Sequence, residues 1–285
     1  MARAKAKRVS RSVLGTVPIA VFLILLGILM MVPFVYAILQ SIKPLEEFYI
    51  FPPRFWVSQP TLKNFTQLFK LSSGLWVPFS RYLFNTVYLA IVCTALQVIT
   101  GAMAAYPLSK YQFKGQGFIF NVIVLSLMFS ADVLFLPQYI MISSFGMIDT
   151  HWSMILPSIA YTMGLYLMRQ NMVAFPTAII EAARIDGAPE RKVFWSVLMP
   201  NMKPAWMTMV VFSFGSMWGR ADTTYIYSEQ LKGLPTLFGQ IASSGIARAG
   251  VGAAATVLLM VPPILVFFVT QSSVIETMVN SGIKE

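Results

Sequence analysis

Six apolar stretches, separated by polar segments of very different length, organise this chain. Residues 13–40, 83–106, 118–142, 152–168 with their flanks and 251–271 each hold enough apolar sequence for a membrane crossing. A hydrocarbon core of about 30 Å needs about twenty helical residues. The sixth stretch, 204–219, is uncharged for only sixteen residues, about 24 Å of helix at about 1.5 Å per residue. It must borrow residues from both sides or lie partly inside a bundle. Lipid-exposed backbone can satisfy its polar groups in no other way here, so every crossing is expected as helix. The expected fold is an all-α integral membrane bundle of six transmembrane helices, with spans near 13–40, 83–106, 118–142, 152–172, 201–221 and 251–273. A basic tail at 1–12 precedes the 13–275 span region, a polar loop at 175–200 interrupts it, and a tail at 276–285 follows.

Composition agrees with that pattern. Of the 285 residues, 57% are hydrophobic and 11% charged, against about 25% charged in an ordinary soluble domain. Lipid is the solvent that such a surface needs. The net charge of +10 does not point to nucleic acid, because no long polar segment carries a basic stripe with interleaved aromatics. Much of the excess sits in Arg3, Lys5, Lys7, Arg8 and Arg11, where it reads as a topology signal. A basic head before an apolar run loosely fits a secretory leader. The run is too long for one and no small-residue cleavage site follows, so a retained first span is expected. With six spans, thirteen of the 21 basic residues fall on the side holding both tails, the Lys110/Lys114 turn and the loop at 169–203. That side is expected to be the cytoplasm.

Several residue classes narrow the function. Pro18, Pro33, Pro137, Pro157, Pro262 and Pro263 lie at membrane depth, where each removes a backbone donor and kinks its helix. Cys93, the sole cysteine, permits no internal disulfide and belongs to no metal pattern, so it reads as a small buried hydrophobe. No GxxxxGK[ST] loop occurs, hence no recognisable nucleotide site. No nucleophile, base and carboxylate can be assembled around the single histidine, His151, which stands at an expected helix start. No inverted repeat is visible of the kind secondary transporters show, and six spans are few to enclose a solute path alone.

The loop that opens at Phe175 reads FPTAIIEAARIDGAPERKVFWSVLMPNMKPA. Pro176 can begin a helix, where a missing N–H costs nothing. Residues 177–185 have helical propensity and a slim surface at Ala182 and Ala183. Gly187 suits the left-handed position that ends a helix, and Pro189 can start another. The expected object is a helix, a glycine turn and a second helix, with Glu181, Arg184 and Asp186 around its rim. Such a knob fits a groove on another protein, or else it is an ordinary interfacial loop.

Glu181-Ala182-Ala183, then Asp186-Gly187-Ala188, then Leu198-Met199-Pro200 resembles the EAA loop of ABC-importer permeases. Gly146-Met147-Ile148-Asp149-Thr150-His151-Trp152, with Leu156-Pro157 beyond it, looks like the junction before the fourth span in carbohydrate-import permeases, and the ending at Gly282-Ile283-Lys284 looks like theirs. The likeness covers nearly the whole chain and is nearest to the smaller maltose-type permease subunit. It implies the type I ABC importer permease fold in a bacterial-type plasma (inner) membrane. It also implies a coupling helix in which Glu181, Ala182, Ala183, Asp186 and Gly187 dock a nucleotide-binding ATPase subunit. The implied partners are a second homologous permease subunit, two ATPase subunits that bind ATP and Mg, an extracytoplasmic solute-binding protein and membrane lipid. No cofactor is expected in this chain. The implied cargo is a carbohydrate, in particular an oligosaccharide; the alternatives are another polar solute such as glycerol-3-phosphate, or an ATP-independent secondary transporter.

For the solute path, Asp132, Asn85, Gln97, Asn121 and Gln138 are the polar residues within the second and third spans that stand out. A carboxylate at membrane depth is costly unless it faces a cavity, a partner or the interface, so Asp132 either lines the path or lies at the outer end of its span. The four amides, together with Thr94, can line a path or join helices.

Overall fold

The computed structural model describes residues 13–74, 76–221, 223–243 and 245–282, and every regular element among them is helical. α1 (Val13–Ser41) runs 29 residues with Pro18 and Pro33 inside it. Its apolar side chains lie open along the length, Phe22 at 64% and Leu29 at 66% exposure, as a helix facing lipid requires. It packs along α14 (Ala249–Gly282), the last helix among the described residues. Between them come α2 (Leu45–Phe48), α3 (Lys63–Ser73) and the 32-residue α4 (Phe79–Lys110). Segments at 17–41, 79–110 and 246–275 are long and apolar enough to cross a membrane.

The third and fourth apolar stretches, expected as single helices, are each broken in two. α5 (Gln116–Ser126) and α6 (Ala131–Ser144) share the third. At the end of α5, Leu127 and Met128 donate to carbonyls three residues back, Val124 and Leu125, which tightens and ends the helix. α7 (Trp152–Ile159) and α8 (Thr162–Ala174) share the fourth. Pro157 cannot donate to the ladder, and Ala160 and Tyr161 leave the helical region at ψ 62° and 87°. The Ile159 carbonyl released there accepts from Thr100 Oγ1 of α4 at 3.3 Å and from the Tyr161 N–H at 2.9 Å. Broken helices persist at membrane depth when neighbours take up the freed groups in this way.

α9 (Thr177–Ile185) follows, then the short α10 (Glu190–Lys192), a π-helical turn Val193–Leu198 and α11 (Met199–Asn201), which lead into α12 (Lys203–Trp218). α4 packs along α8 and α12, and the three meet where the fully buried Met209 enters the space left by Gly101 and Gly164. Lipid is as apolar as the helix faces, so close van der Waals approach at such small residues is what holds membrane helices together. α13 (Leu234–Ala242) lies in the long loop before α14 and buries Leu234, Leu237, Phe238 and Ile241 beside α3, α4 and α14.

The segment at 43–81, readable as a loop from sequence, is instead tightly built. Lys43 is 2% exposed and donates from Nζ to the Arg54 carbonyl at 2.8 Å. Glu47 accepts the N–H groups of Ser58 and Gln59 at 3.2 and 3.0 Å. Asn64 caps the end of α1 by donating to the carbonyls of Ser41 and Lys43, both at 2.8 Å. Each buried polar group has a backbone partner, which is the condition for keeping it there.

Candidate functional site

α9 has the length read from the sequence, and its ends explain its shape. Pro176 and Pro189 stand just outside their helices, with ψ 124° and 152°, and not at the first helical position as expected. Gly187 takes φ +78°. Its N–H reaches the Arg184 carbonyl at 3.0 Å and the Ala188 N–H reaches the Ala183 carbonyl at 3.0 Å. Those two bonds are the paired closure of a Schellman motif. Ile180 is buried, Ala183 rests against the core, and Glu181, Ala182, Asp186 and Gly187 are exposed. Ile185 is 86% exposed at the tip. The outward surface is therefore a narrow patch with isoleucine, alanine and two carboxylates, a shape that suits insertion into a groove.

Arg184, expected on the rim, is not a free charge. Its Nε lies 2.7 Å from Glu190 Oε1, and its guanidinium sits over the Tyr111 ring. Tyr106 of α4 donates to the other Glu190 oxygen at 2.8 Å. Burial pushes the Glu190 carboxyl up, but hydrogen bonds from Arg184, Tyr111 and Tyr106 and the Arg184 charge outweigh it and hold the group below its usual range. The Arg184 guanidinium is shifted up, chiefly by its bond to Glu190. Lys110 donates from Nζ to the Phe175 carbonyl at 2.5 Å. The last turn of α4 thus holds the loop where it leaves the bundle and where it returns. Sequence reading missed Tyr106, Lys110, Tyr111 and Glu190; the available signal was the i, i+4, i+5 spacing of the first three on one end of a span.

The polar residues singled out for a solute path do not converge. Asn85 is fully buried, and its Nδ2 donates to the carbonyls of Gln230 and Lys232, both at 2.9 Å. Its amide nitrogen anchors a loop, while its buried Oδ1 has no partner among the described residues. Gln97 and Thr94 on α4 and Ser213 on α12 are buried with side-chain oxygens that have no partner among the described residues. Asn121 is exposed on α5. Asp132 lies on α6, and its side chain falls outside the described residues. Gln138 opens onto a cleft of about 380 Å³ shared with Phe135, Met154, Arg220, Ala221, Thr224 and Tyr225.

A second polar assembly sits between α6 and α7. Asp149 takes φ +60°, and its carboxylate accepts from the N–H groups of Tyr227 and Ser228 at 2.9 and 2.8 Å and from the Ser228 hydroxyl. The Ser228 hydroxyl, then its N–H and that of Tyr227, hold the carboxyl below its usual range. His151 caps nothing with its side chain; its Nε2 lies 3.2 Å from the Leu231 carbonyl and its ring leans on Tyr88. Asp149→Ala is expected to free the 223–232 segment, seen as faster tryptic cleavage after Lys232. Asp149→Asn keeps an acceptor and tolerates the left-handed backbone, so its rate stays near the parent's. Because the folded carboxyl is depressed, the clamp is at full strength above about pH 4 and loosens only as pH falls through the folded value below that.

Known proteins share this architecture. A family described as "Binding-protein-dependent transport system inner membrane component" matches residues 97–278. The arabinooligosaccharides transport system permease protein AraQ of Halalkalibacterium halodurans is 26% identical over 260 residues, covering 88% of this chain and 90% of that one. The lactose transport system permease protein LacG of Rhizobium radiobacter is 28% identical over 199 residues, 69% of this chain and 73% of that one. A chain from the crystal structure of a bacterial ABC transporter involved in the import of the acidic polysaccharide alginate has a TM-score of 0.74 at 21% identity, covering 95% of this chain and 99% of that chain. The fold is therefore that of an ABC importer permease. The family match takes in the second half of α4 from Gln97, the knob at α9 and nearly all of α14, and this chain belongs to the inner membrane components of binding-protein-dependent transport systems.

Proposed function

We propose that this chain is the permease subunit of an ATP-driven importer of carbohydrate, an oligosaccharide above all, with ATP and Mg bound by separate ATPase subunits. The observation that carries the reading is the Schellman-closed knob at residues 177–188, held at both ends by α4 and exposing Ile185 at its tip. Glu181, Ala182, Ala183, Asp186 and Gly187 form the surface offered to, or shaping contact with, an ATPase subunit. A second homologous permease completes the solute path, and two ATPase subunits and an external solute-binding protein complete the assembly. The knob and both termini face the cytoplasm, and the six spans include two broken ones. Closure of the ATPases then biases a two-state bundle through the knob.

The cleft at Gln138 supports a sugar as cargo. It joins an amide, a guanidinium and a threonine to Phe135 and Tyr225, and Tyr139 stacks on Tyr225 at 6.2 Å. Aromatic faces with a few convergent hydrogen-bonding groups are how a pocket orients a small polar ligand. Gln138→Ala is expected to raise the half-saturating solute concentration for uptake by about 2- to 10-fold, the loss of one hydrogen bond worth about 0.5–1.5 kcal/mol. Unchanged uptake would remove the residue from the path.

Reconstitution of the full complex in liposomes tests the function. ATP hydrolysis is measured with the binding protein and a panel of arabino-oligosaccharides, lactose and glycerol-3-phosphate. Stimulation by a sugar is expected. Stimulation by glycerol-3-phosphate alone would change the cargo, and uptake without the ATPase subunits would overturn the ATP-driven reading.

A further inference from the structure

The two ends of α4 carry the same chemical device. At one end the Tyr106 hydroxyl donates to Glu190 at 2.8 Å while Arg184 binds the other oxygen at 2.7 Å. At the other end the Tyr82 hydroxyl donates to Glu229 at 3.1 Å while Lys232 binds its other oxygen at 2.5 Å. Each carboxylate lies outside the long helices: Glu190 at the start of α10, directly after the knob, and Glu229 in the segment between α12 and α13. The two tyrosines stand about 24 residues apart on one helix, about 36 Å at 1.5 Å per residue, which is the depth of a membrane. In a chain with few charged residues, two ion pairs are thus placed on tyrosines at opposite ends of a single rod.

Other contacts reinforce each latch without adding mobile joints. Asn85 fixes the carbonyls on either side of Leu231, and the Leu234 N–H donates to Thr86 of α4 at 2.7 Å. At the far end Lys110 holds the Phe175 carbonyl. Between the ends α4 is one helix, with Pro107 next to Tyr106, and it packs against α7, α8 and α12. Displacement of the knob therefore has a continuous, hydrogen-bonded route to the opposite loop, with a carboxylate joint at each end.

We propose that α4 is the transmission element of the importer, with Tyr106 and Tyr82 as positioning residues that latch it to the knob and to the 223–242 loop. This rests on the docking of an ATPase at the knob. Binding of ATP at that distant subunit then moves the opposite loop, where a solute-binding protein or the solute itself is met. Both latches contribute, since loosening the rod at either end weakens transmission even though Asn85, Thr86 and Lys110 still tie it to the two segments.

The test uses the complete complex with a nitroxide attached through Ser243→Cys, an exposed position at the end of α13; the native Cys93 is buried. Addition of MgATP is expected to change the mobility of this label in the parent. The change is expected to fall by at least half with Tyr106→Phe combined with Glu190→Gln, and equally with Tyr82→Phe combined with Glu229→Gln, while ATPase subunits co-purify in parent amounts. All four exchanges keep the side-chain shape, which protects the fold. A full ATP-driven change in either latch variant overturns the proposal. Loss of the ATPase from the Tyr106 variant also overturns it, because that latch would then serve docking alone. If the ATPase fails to co-purify even with the parent chain, the docking reading itself has failed, and the two failures are told apart.

Discussion

Gly187→Val is expected to abolish transport while the chain reaches the membrane at the parent level. Gly187 holds φ +78°, and a Cβ built there would meet nothing within 4 Å. The cost of a side chain is therefore conformational and not steric crowding. An L-residue in the left-handed region costs about 1–2 kcal/mol, and a β-branched one is a genuine outlier there. Valine is expected to leave that region, which breaks the closures from Gly187 to Arg184 and from Ala188 to Ala183. Pro189 and Glu190 then turn away, and the knob loses both its tip and its Glu190–Tyr106 tie.

The same position gives a graded series. Gly187→Ala bears the left-handed penalty without branching, and about 1.4 kcal/mol corresponds to a tenfold loss of the competent knob. Gly187→Asn tolerates the conformation and is expected to import near the parent rate. The order Asn, Ala, Val in uptake, with co-purified ATPase falling in parallel and equal membrane amounts by immunoblot, is the expected result. Import by the valine variant at the parent rate would sink the docking of an ATPase at this loop.

The knob was legible because its shape is set by local backbone chemistry. Pro176 and Pro189 fix φ and Gly187 alone enters the left-handed region without cost, wherever they stand, so a helix, a turn and a restart can be read without knowing their surroundings. What holds the knob was not legible. Glu190 meets Tyr106 across 84 positions, and no local pattern records that pairing. Hydropathy likewise measured the third and fourth spans by composition, and composition does not register the breaks at 127–130 and 160–161. Asn85 and Gln97 look alike as amides within one span, and both keep a buried oxygen without a partner among the described residues, yet the Asn85 amide nitrogen holds two loop carbonyls. Lys43 and Glu47 carry no sequence sign of burial, because their partners are backbone groups of residues 54–59, which sequence cannot mark.

Gly164→Leu is expected to disrupt the packed centre of the bundle and to lower the thermal midpoint of the detergent-purified chain well below that of Gly101→Ala. Both glycines receive Met209, but their surroundings differ. A Cβ at Gly101 would lie 2.8 Å from the Met209 methyl and clear of everything else by 3.6 Å or more. A thioether end is flexible and can yield. A Cβ at Gly164 would lie 2.4 Å from that methyl and 2.5 Å from the Tyr161 ring. That ring stands at the break between α7 and α8, and overpacking of this kind costs about 1–3 kcal/mol. Adding Met209→Ala separates the two sites. It opens space that the Gly101→Ala methyl partly fills, so their combined cost falls short of the sum of the single costs by about 0.5–3 kcal/mol. The same addition leaves the Tyr161 clash in place, so Gly164→Leu is only partly relieved. Strict additivity of Gly101→Ala with Met209→Ala would mean that α4 and α12 do not meet at this point, and the compact junction of α4, α8 and α12 would have to be redrawn.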